Sequence, residues 1–132
     1  IEKFICELGE KYNIREIAYD RWNATQMVQN LEDDGFTMIP FGQGFRDMSP
    51  PTKELMRLVL EHRLAHGGHP VLRWNMDNAF VRTDPADNLK IDKQKSTEKV
   101  DGAVALVMAL DRAMKNQNSG GSVYDERDMI FL

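Results

Sequence analysis

The sequence is short of several things at once. It holds a single cysteine, Cys6, which excludes an internal disulfide and fits a reducing compartment. Cys6 lies among Phe4, Ile5 and Leu8, where a thiol reads as a small core side chain rather than a nucleophile. No apolar run approaches the roughly 20 residues that span a bilayer, and no cleavable leader opens the chain, so no membrane partner is expected. A large excess of one charge is also missing: 17 Lys and Arg stand against 21 Asp and Glu, a formal net charge of −4. That balance argues against bulk binding of nucleic acid by the whole surface. It is compatible with a nuclease, because carboxylate-held metals concentrate negative charge at the site and meet phosphate with borrowed cation charge. Neither a nucleophile–base pair nor a cofactor fingerprint is visible, so a small-molecule enzyme ranks last among the functional classes.

What is present is a globular composition: 132 residues, 42% hydrophobic and 29% charged, enough for one domain with a core. The opening stretch "IEKFICELGEKYNI" has Phe4, Ile5, Leu8 and Tyr12 at helical spacing, with Gly9 as a blemish. It reads as a helix already under way, and the expectation is a piece of a longer protein. Ile14, Ile17, Ala18 and Tyr19 make a short apolar run that Asp20 ends, a strand by its length. Asn23 suits the N-cap of a helix from about Ala24 to Asp33 that stops at Gly35. "FTMIPFGQG" reads as a second strand running into a glycine-rich turn of positive φ, and the helical crossover predicts that the two strands are parallel.

"DMSPPTKELMRLVLEHRLAHGG" predicts a helix capped by Ser49, with Pro50 and Pro51 in its first turn and Gly67 and Gly68 after its end. "HPVLRWNMDNAFVRTDPADNLKIDKQ" reads as extended, with antiparallel strands on either side of a turn at "TDPADN". A last helix is expected from Ser96 to Lys115, followed from residue 116 to 132 by a flexible linker and tail. The order predicts an α/β fold: a mixed sheet flanked by helices, with an additional β-hairpin. So few strands leave sheet edges exposed, and an exposed edge favours self-association.

Two carboxylates stand out. Asp20 sits at the carboxyl end of the first strand, where open parallel sheets bind ligands. It is also well placed as a mere helix-entry acid. Asp101 heads the apolar run "VDGAVALVMAL" and, on a helix begun at Ser96, falls on a flank beside Ala105 and Met108. Desolvating it there requires a cation, a donor or a metal; Lys95, Lys99 and a metal ion are the candidates, and a salt bridge is the simpler one. Gly102 costs about 1 kcal/mol inside a helix, which points to a close approach by backbone or ligand. "PFGQGF" lacks the lysine of a phosphate-binding P-loop, and His66 and His69 alone make a poor zinc site. Arg82, Lys90, Lys93, Lys95 and Lys99 are interspersed with acids, a mixed face suited to backbone contact with nucleic acid only if the charges segregate.

Taken together, "YDRWNA", "PFGQGFRDMSPPTKELMRLVLEHRLAHGGHPVLRWNMDN" and "TDPADNLKIDKQKSTEKVDGAVALVMALDRAM" resemble the carboxyl-terminal nuclease part of the large terminase subunit of tailed bacteriophages. The resemblance implies a partial ribonuclease H-like fold over residues 1–115. It implies cleavage of concatemeric double-stranded DNA during genome packaging, by metal-dependent phosphodiester hydrolysis with Mg²⁺ or Mn²⁺. Asp20 of the "YDxWNA"-like motif and Asp101 of the "K(I/V)DG"-like motif take the places of catalytic metal ligands, and Lys95 and Lys99 those of DNA-facing residues. The small terminase subunit and the portal are the implied protein partners, and the cytoplasm of the bacterial host the implied location. In this fold a further acid comes from a first strand expected ahead of Ile1, so catalysis by this chain alone stays open. The competing reading is a non-catalytic α/β module that keeps the nuclease scaffold and binds protein or DNA.

Overall fold

Parallel pairing of two short strands organises the amino-terminal part of the chain, and helix packing organises the rest. The computed structural model describes residues 1–22, 25–119 and 130–131. The chain divides into two compact units, Ile1–Gln43 and Gly44–Leu132.

The first unit runs α1 (Glu2–Lys11), β1 (Ile17–Asp20), α2 (Thr25–Asp33) and β2 (Met38–Phe41). β1 and β2 are parallel, with Ile17 opposite Met38 and Asp20 opposite Phe41, as the helical crossover predicts. Among the described residues neither strand has a further partner. Val28 and Leu31 are the buried side chains of α2, and Gly35 at φ 95° ends it, with Phe36 N–H returning to Leu31 O at 3.0 Å. Gly9 is a contact rather than a blemish: a Cβ there would stand 2.8 Å from the Phe36 ring. Cys6 is half-buried, and its thiol reaches Asp34 Oδ2 at 3.4 Å. Burial and then Asp34 raise the thiol's pKa, which keeps it protonated and unreactive. The capping role expected of Asn23 lies outside the described residues.

The second unit contains α3 (Phe45–Leu60), β3 (Leu64–Ala65), α4 (Pro70–Asn78), β4 (Val81–Thr83), β5 (Leu89–Ile91), α5 (Asp101–Ser119) and β6 (Ile130–Phe131). β4 and β5 form the expected hairpin, with Arg82 opposite Lys90, and β6 pairs parallel with β3. The single mixed sheet expected from sequence is replaced by three two-stranded sheets among the described residues, two parallel and one antiparallel. α5 packs on α3 and α4, and β5 packs on α3. Leu55 and Leu58 of α3 and Val104, Val107 and Leu110 of α5 are buried at this centre. Each such side chain contributes roughly 1.5–3 kcal/mol by leaving water.

Four sequence expectations are corrected here. The N-cap of α3 is Gly44, in an extended conformation (φ −78°, ψ 173°), so the "PFGQG" loop serves helix entry and Gly44 has no positive φ. Ser49 is therefore inside α3, as are Pro50 and Pro51, and Pro51 fills the core. α3 also ends earlier than Gly67, because His62 takes the left-handed conformation (φ 55°) and Arg63 N–H returns to Leu58 O at 2.9 Å. The stop is written in a histidine rather than a glycine.

The third correction is α4, which was expected to be extended. His69 caps it by accepting Val71 N–H on Nδ1 at 3.2 Å, and Pro70 occupies its first turn, where no amide is needed. Its inward stripe is Leu72, Asn75, Met76 and Ala79, a helical spacing hidden because its most buried member is an asparagine. Fourth, α5 starts at Asp101 rather than Ser96 and continues through Asn116 to Ser119, where a linker was expected. The tail's Ile130–Phe131 is a strand, and residues 120–129 lie outside the described residues.

Candidate functional site

Asp20 is the final residue of β1, so the parallel register sets it at the same sheet end as the Phe41-Gly42-Gln43 exit of β2. It is half-buried, and its Oδ1 accepts the Trp22 amide at 3.2 Å, a local turn that holds the carboxylate at the strand end. Trp22 itself is 76% exposed.

Asp101 is the first residue of α5, and Val104 N–H closes the first turn on Val100 O at 3.0 Å. It is exposed, on the same flank as the exposed Ala105 and Ala109. The expectation of a carboxylate pressed against apolar surface is thereby corrected: Asp101 lies on the solvent-facing stripe of α5, so no desolvation needs to be offset. A carboxylate in the first turn is instead favoured by the amide dipoles of the helix start. Gly102 does meet a close approach, but from a side chain rather than from the backbone or ligand expected. Its N–H donates to Asn75 Oδ1 on α4 at 2.7 Å, and a Cβ there would come within 3.1 Å of the same oxygen.

The segment between β5 and α5 is wired around Asp92. Its Oδ1 accepts the amides of Gln94 at 2.9 Å and Lys95 at 3.1 Å, while Ser96 Oγ donates to Asp92 O at 2.6 Å. The Lys95 amide, then burial working in the opposite direction, then the Gln94 amide set the Asp92 carboxyl, with a net lowering of its pKa. Ser96 Oγ in turn accepts Phe80 N–H at 3.2 Å, and Thr97 N–H donates to Asn78 O at 3.3 Å. Lys95 and Lys99 are thus exposed side chains on an anchored backbone. The Lys95 ammonium stands 5.7 Å from the Phe80 ring centre, and Arg82 and Lys90 share the ring of Phe45 at 5.9 and 4.9 Å.

Asp101, Lys95 and Lys99 therefore belong to the second unit and Asp20 to the first. His66 and His69 are used locally, each accepting a backbone amide on Nδ1, as expected of turn residues. Among the described residues, no group of three His, Cys, Asp or Glu side chains is gathered for a metal ion. Also among the described residues, no helix is long and apolar enough to cross a membrane. Sequence reasoning missed Asn75 and Asp92. The first was concealed with α4; the second was visible as an aspartate two and three residues ahead of Gln94 and Lys95, the spacing of an Asx turn.

Comparison with known proteins joins these features. Residues 1–117 match the family described as terminase large subunit, endonuclease domain. The chain is similar to the terminase large subunit of Enterobacteria phage HK97, with 37% identity over 129 residues, covering 96% of this chain and 25% of that protein. It is similar to protein YmfN of Escherichia coli (strain K12), with 35% identity over 118 residues, 85% of this chain and 26% of that protein. The crystal structure of the HK97 bacteriophage large terminase superposes with a TM-score of 0.76 at 37% identity, covering 84% of this chain and 24% of that one. The chain thus spans about a quarter of the length of the relatives it matches. Over nearly all of its own length, it belongs to the endonuclease-domain family of terminase large subunits.

Proposed function

We propose that this chain is part of a ribonuclease H-like nuclease that cleaves concatemeric double-stranded DNA during phage genome packaging. The observation that carries the reading is the family match over residues 1–117, which contains both candidate carboxylates and the lysine segment. In this reading Asp20 and Asp101 each give oxygen ligands to divalent metal in the complete nuclease. The donor chemistry fits: both are carboxylates, and Asp101 is exposed at a helix start, which suits a hard, oxygen-seeking ion such as Mg²⁺ or Mn²⁺. A bound ion of this kind supplies Lewis acidity and a more acidic water at a phosphodiester.

The chain's own residues supply position. The turn at Trp22 holds Asp20 at the end of β1, and α4 holds the start of α5 through Gly102. Lys95 and Lys99 meet phosphate oxygens from a backbone fixed by Asp92 and Asn78, positioning DNA without reading its sequence. The small terminase subunit and the portal are the proposed partners of the whole protein, acting in the cytoplasm of the bacterial host. Self-association through an edge of the β1–β2 pair is proposed for the isolated chain.

The test is plasmid cleavage with Mn²⁺ by the chain and by a chimera carrying the upstream part of the HK97 relative. The expected result is cleavage by the chimera that Asp20→Asn and Asp101→Asn each abolish. Cleavage that survives both substitutions would remove these residues from the site. Failure of both proteins to cut would favour a non-catalytic module.

A further inference from the structure

α5 begins without a cap of its own. Val100 accepts the first intrahelical bond on its carbonyl, from Val104 N–H, and so stands at the N-cap, yet valine has no side-chain oxygen with which to receive a free helix amide. The acceptor comes from another helix. Asn75 on α4 takes the Gly102 N–H on Oδ1 at 2.7 Å, while its Nδ2 donates to Val71 O at 3.1 Å. Asn75 is only 4% exposed, so both halves of its amide are used in a dry setting, where orientation is tightly determined. A second asparagine of α4 adds to this: Asn78 Nδ2 reaches Lys99 O at 3.5 Å. The backbone around Asp101, at Lys99 and Gly102, is therefore held from α4, and glycine at 102 gives the asparagine oxygen its access.

We propose that Asn75 is a positioning residue for Asp101, setting the direction of its carboxylate by capping α5 from α4 through the Gly102 amide. The proposal rests on the reading of Asp101 as a metal ligand. An asparagine used only for stability would require the Gly102 bond but not its place beside the ligand. The two roles separate because Gly102→Ala disturbs the contact while adding helix propensity.

The test measures Mn²⁺ affinity of the full chain by electron paramagnetic resonance of the free ion, alongside thermal stability and hydrogen exchange of the Gly102 amide. Asn75→Ala is expected to expose the Gly102 amide to exchange and weaken Mn²⁺ binding on the order of tenfold, the usual effect of losing an outer-shell partner. Gly102→Ala is expected to weaken it in the same direction with no loss of thermal stability. Wild-type affinity in Gly102→Ala, with the backbone amide at position 102 exchanging faster, overturns the proposal even if Asn75→Ala fails to fold. Asp101→Asn separates the two levels. If it abolishes Mn²⁺ binding while both Asn75→Ala and Gly102→Ala bind normally, only the positioning role falls. If it binds like wild type, or if wild type shows no saturable binding, the ligand reading falls and the positioning role with it.

Discussion

The hydroxyl of Ser49, buried within α3, accepts the amide of Leu89 at 3.0 Å and so fastens β5 of the hairpin to the helix it packs on. A residue whose composition suggested a helix cap is instead a rivet between elements forty positions apart in sequence. Ser49→Ala leaves the Leu89 amide without its acceptor in a part-buried place. A loss of about 2 kcal/mol is expected, measured by urea unfolding, with faster hydrogen exchange at Leu89.

Acid should loosen the hairpin and the loop that follows it. The Asn88 side chain, then its amide, holds the Asp84 carboxyl below its ordinary pKa, as the amides of Lys95 and Gln94 do for Asp92. A group with a lowered folded pKa stabilises fully above its unfolded value, about 3.9 for Asp, and loses that contribution as pH falls through the folded one. Unfolding followed below about pH 4 should therefore show stability falling with acid, and Asp84→Asn with Asp92→Asn should flatten that slope. An unchanged slope in the double variant would contradict the assignment.

Asp111 is a buried carboxylate on α5, with Lys115 Nζ at 2.9 Å and an Arg112 nitrogen at 4.0 Å. The Lys115 side chain is 60% exposed, so its loss is cushioned by water and by Arg112. Lys115→Met should cost about 1 kcal/mol. Replacing the pair together, Asp111→Leu with Lys115→Met, should recover that loss, because an apolar pair escapes the desolvation of the carboxylate. Urea midpoints of the single and double variants check this.

Leu58 lies 2% exposed in α3, the helix that packs on α5. Leu58→Ala removes buried methyls and leaves a cavity, with an expected cost of 2–5 kcal/mol by chemical unfolding, on the order seen for large-to-small core changes. Met56→Ala, at an exposed position of the same helix, should change stability by less than about 0.5 kcal/mol.

The parts of this fold that were legible in the sequence are those with local punctuation. The β1–α2–β2 crossover was visible from two short apolar runs and Gly35, and the hairpin from the turn "TDPADN". α4 was not, because its stripe is built around Asn75, and a polar residue that earns its burial through hydrogen bonds to Gly102 and Val71 looks like solvent-facing sequence. The ends of α3 were misplaced for a related reason: His62 does what glycine usually does, and two prolines lie deeper in the helix than their amide loss would suggest. For the candidate site, the position of Asp20 at a strand end was foreseeable, whereas Asp101 was expected inside a helix begun at Ser96 and instead opens α5. The exposure of Asp101 was not legible either, because the side of α5 left to solvent is decided by how the helix packs on α3 and α4.

The most direct measurement is a Mn²⁺ titration of the isotope-labelled chain by nuclear magnetic resonance, reading which amides the paramagnetic ion broadens first. If Asp20 and Asp101 hold divalent metal, amides around Asp20 and at Asp101 and Gly102 should broaden at the lowest Mn²⁺ concentrations, and added Mg²⁺ should reverse the effect. Early broadening centred on other acids, such as Asp84 or Asp92, with the amides around Asp20 and Asp101 left sharp, would contradict the assignment.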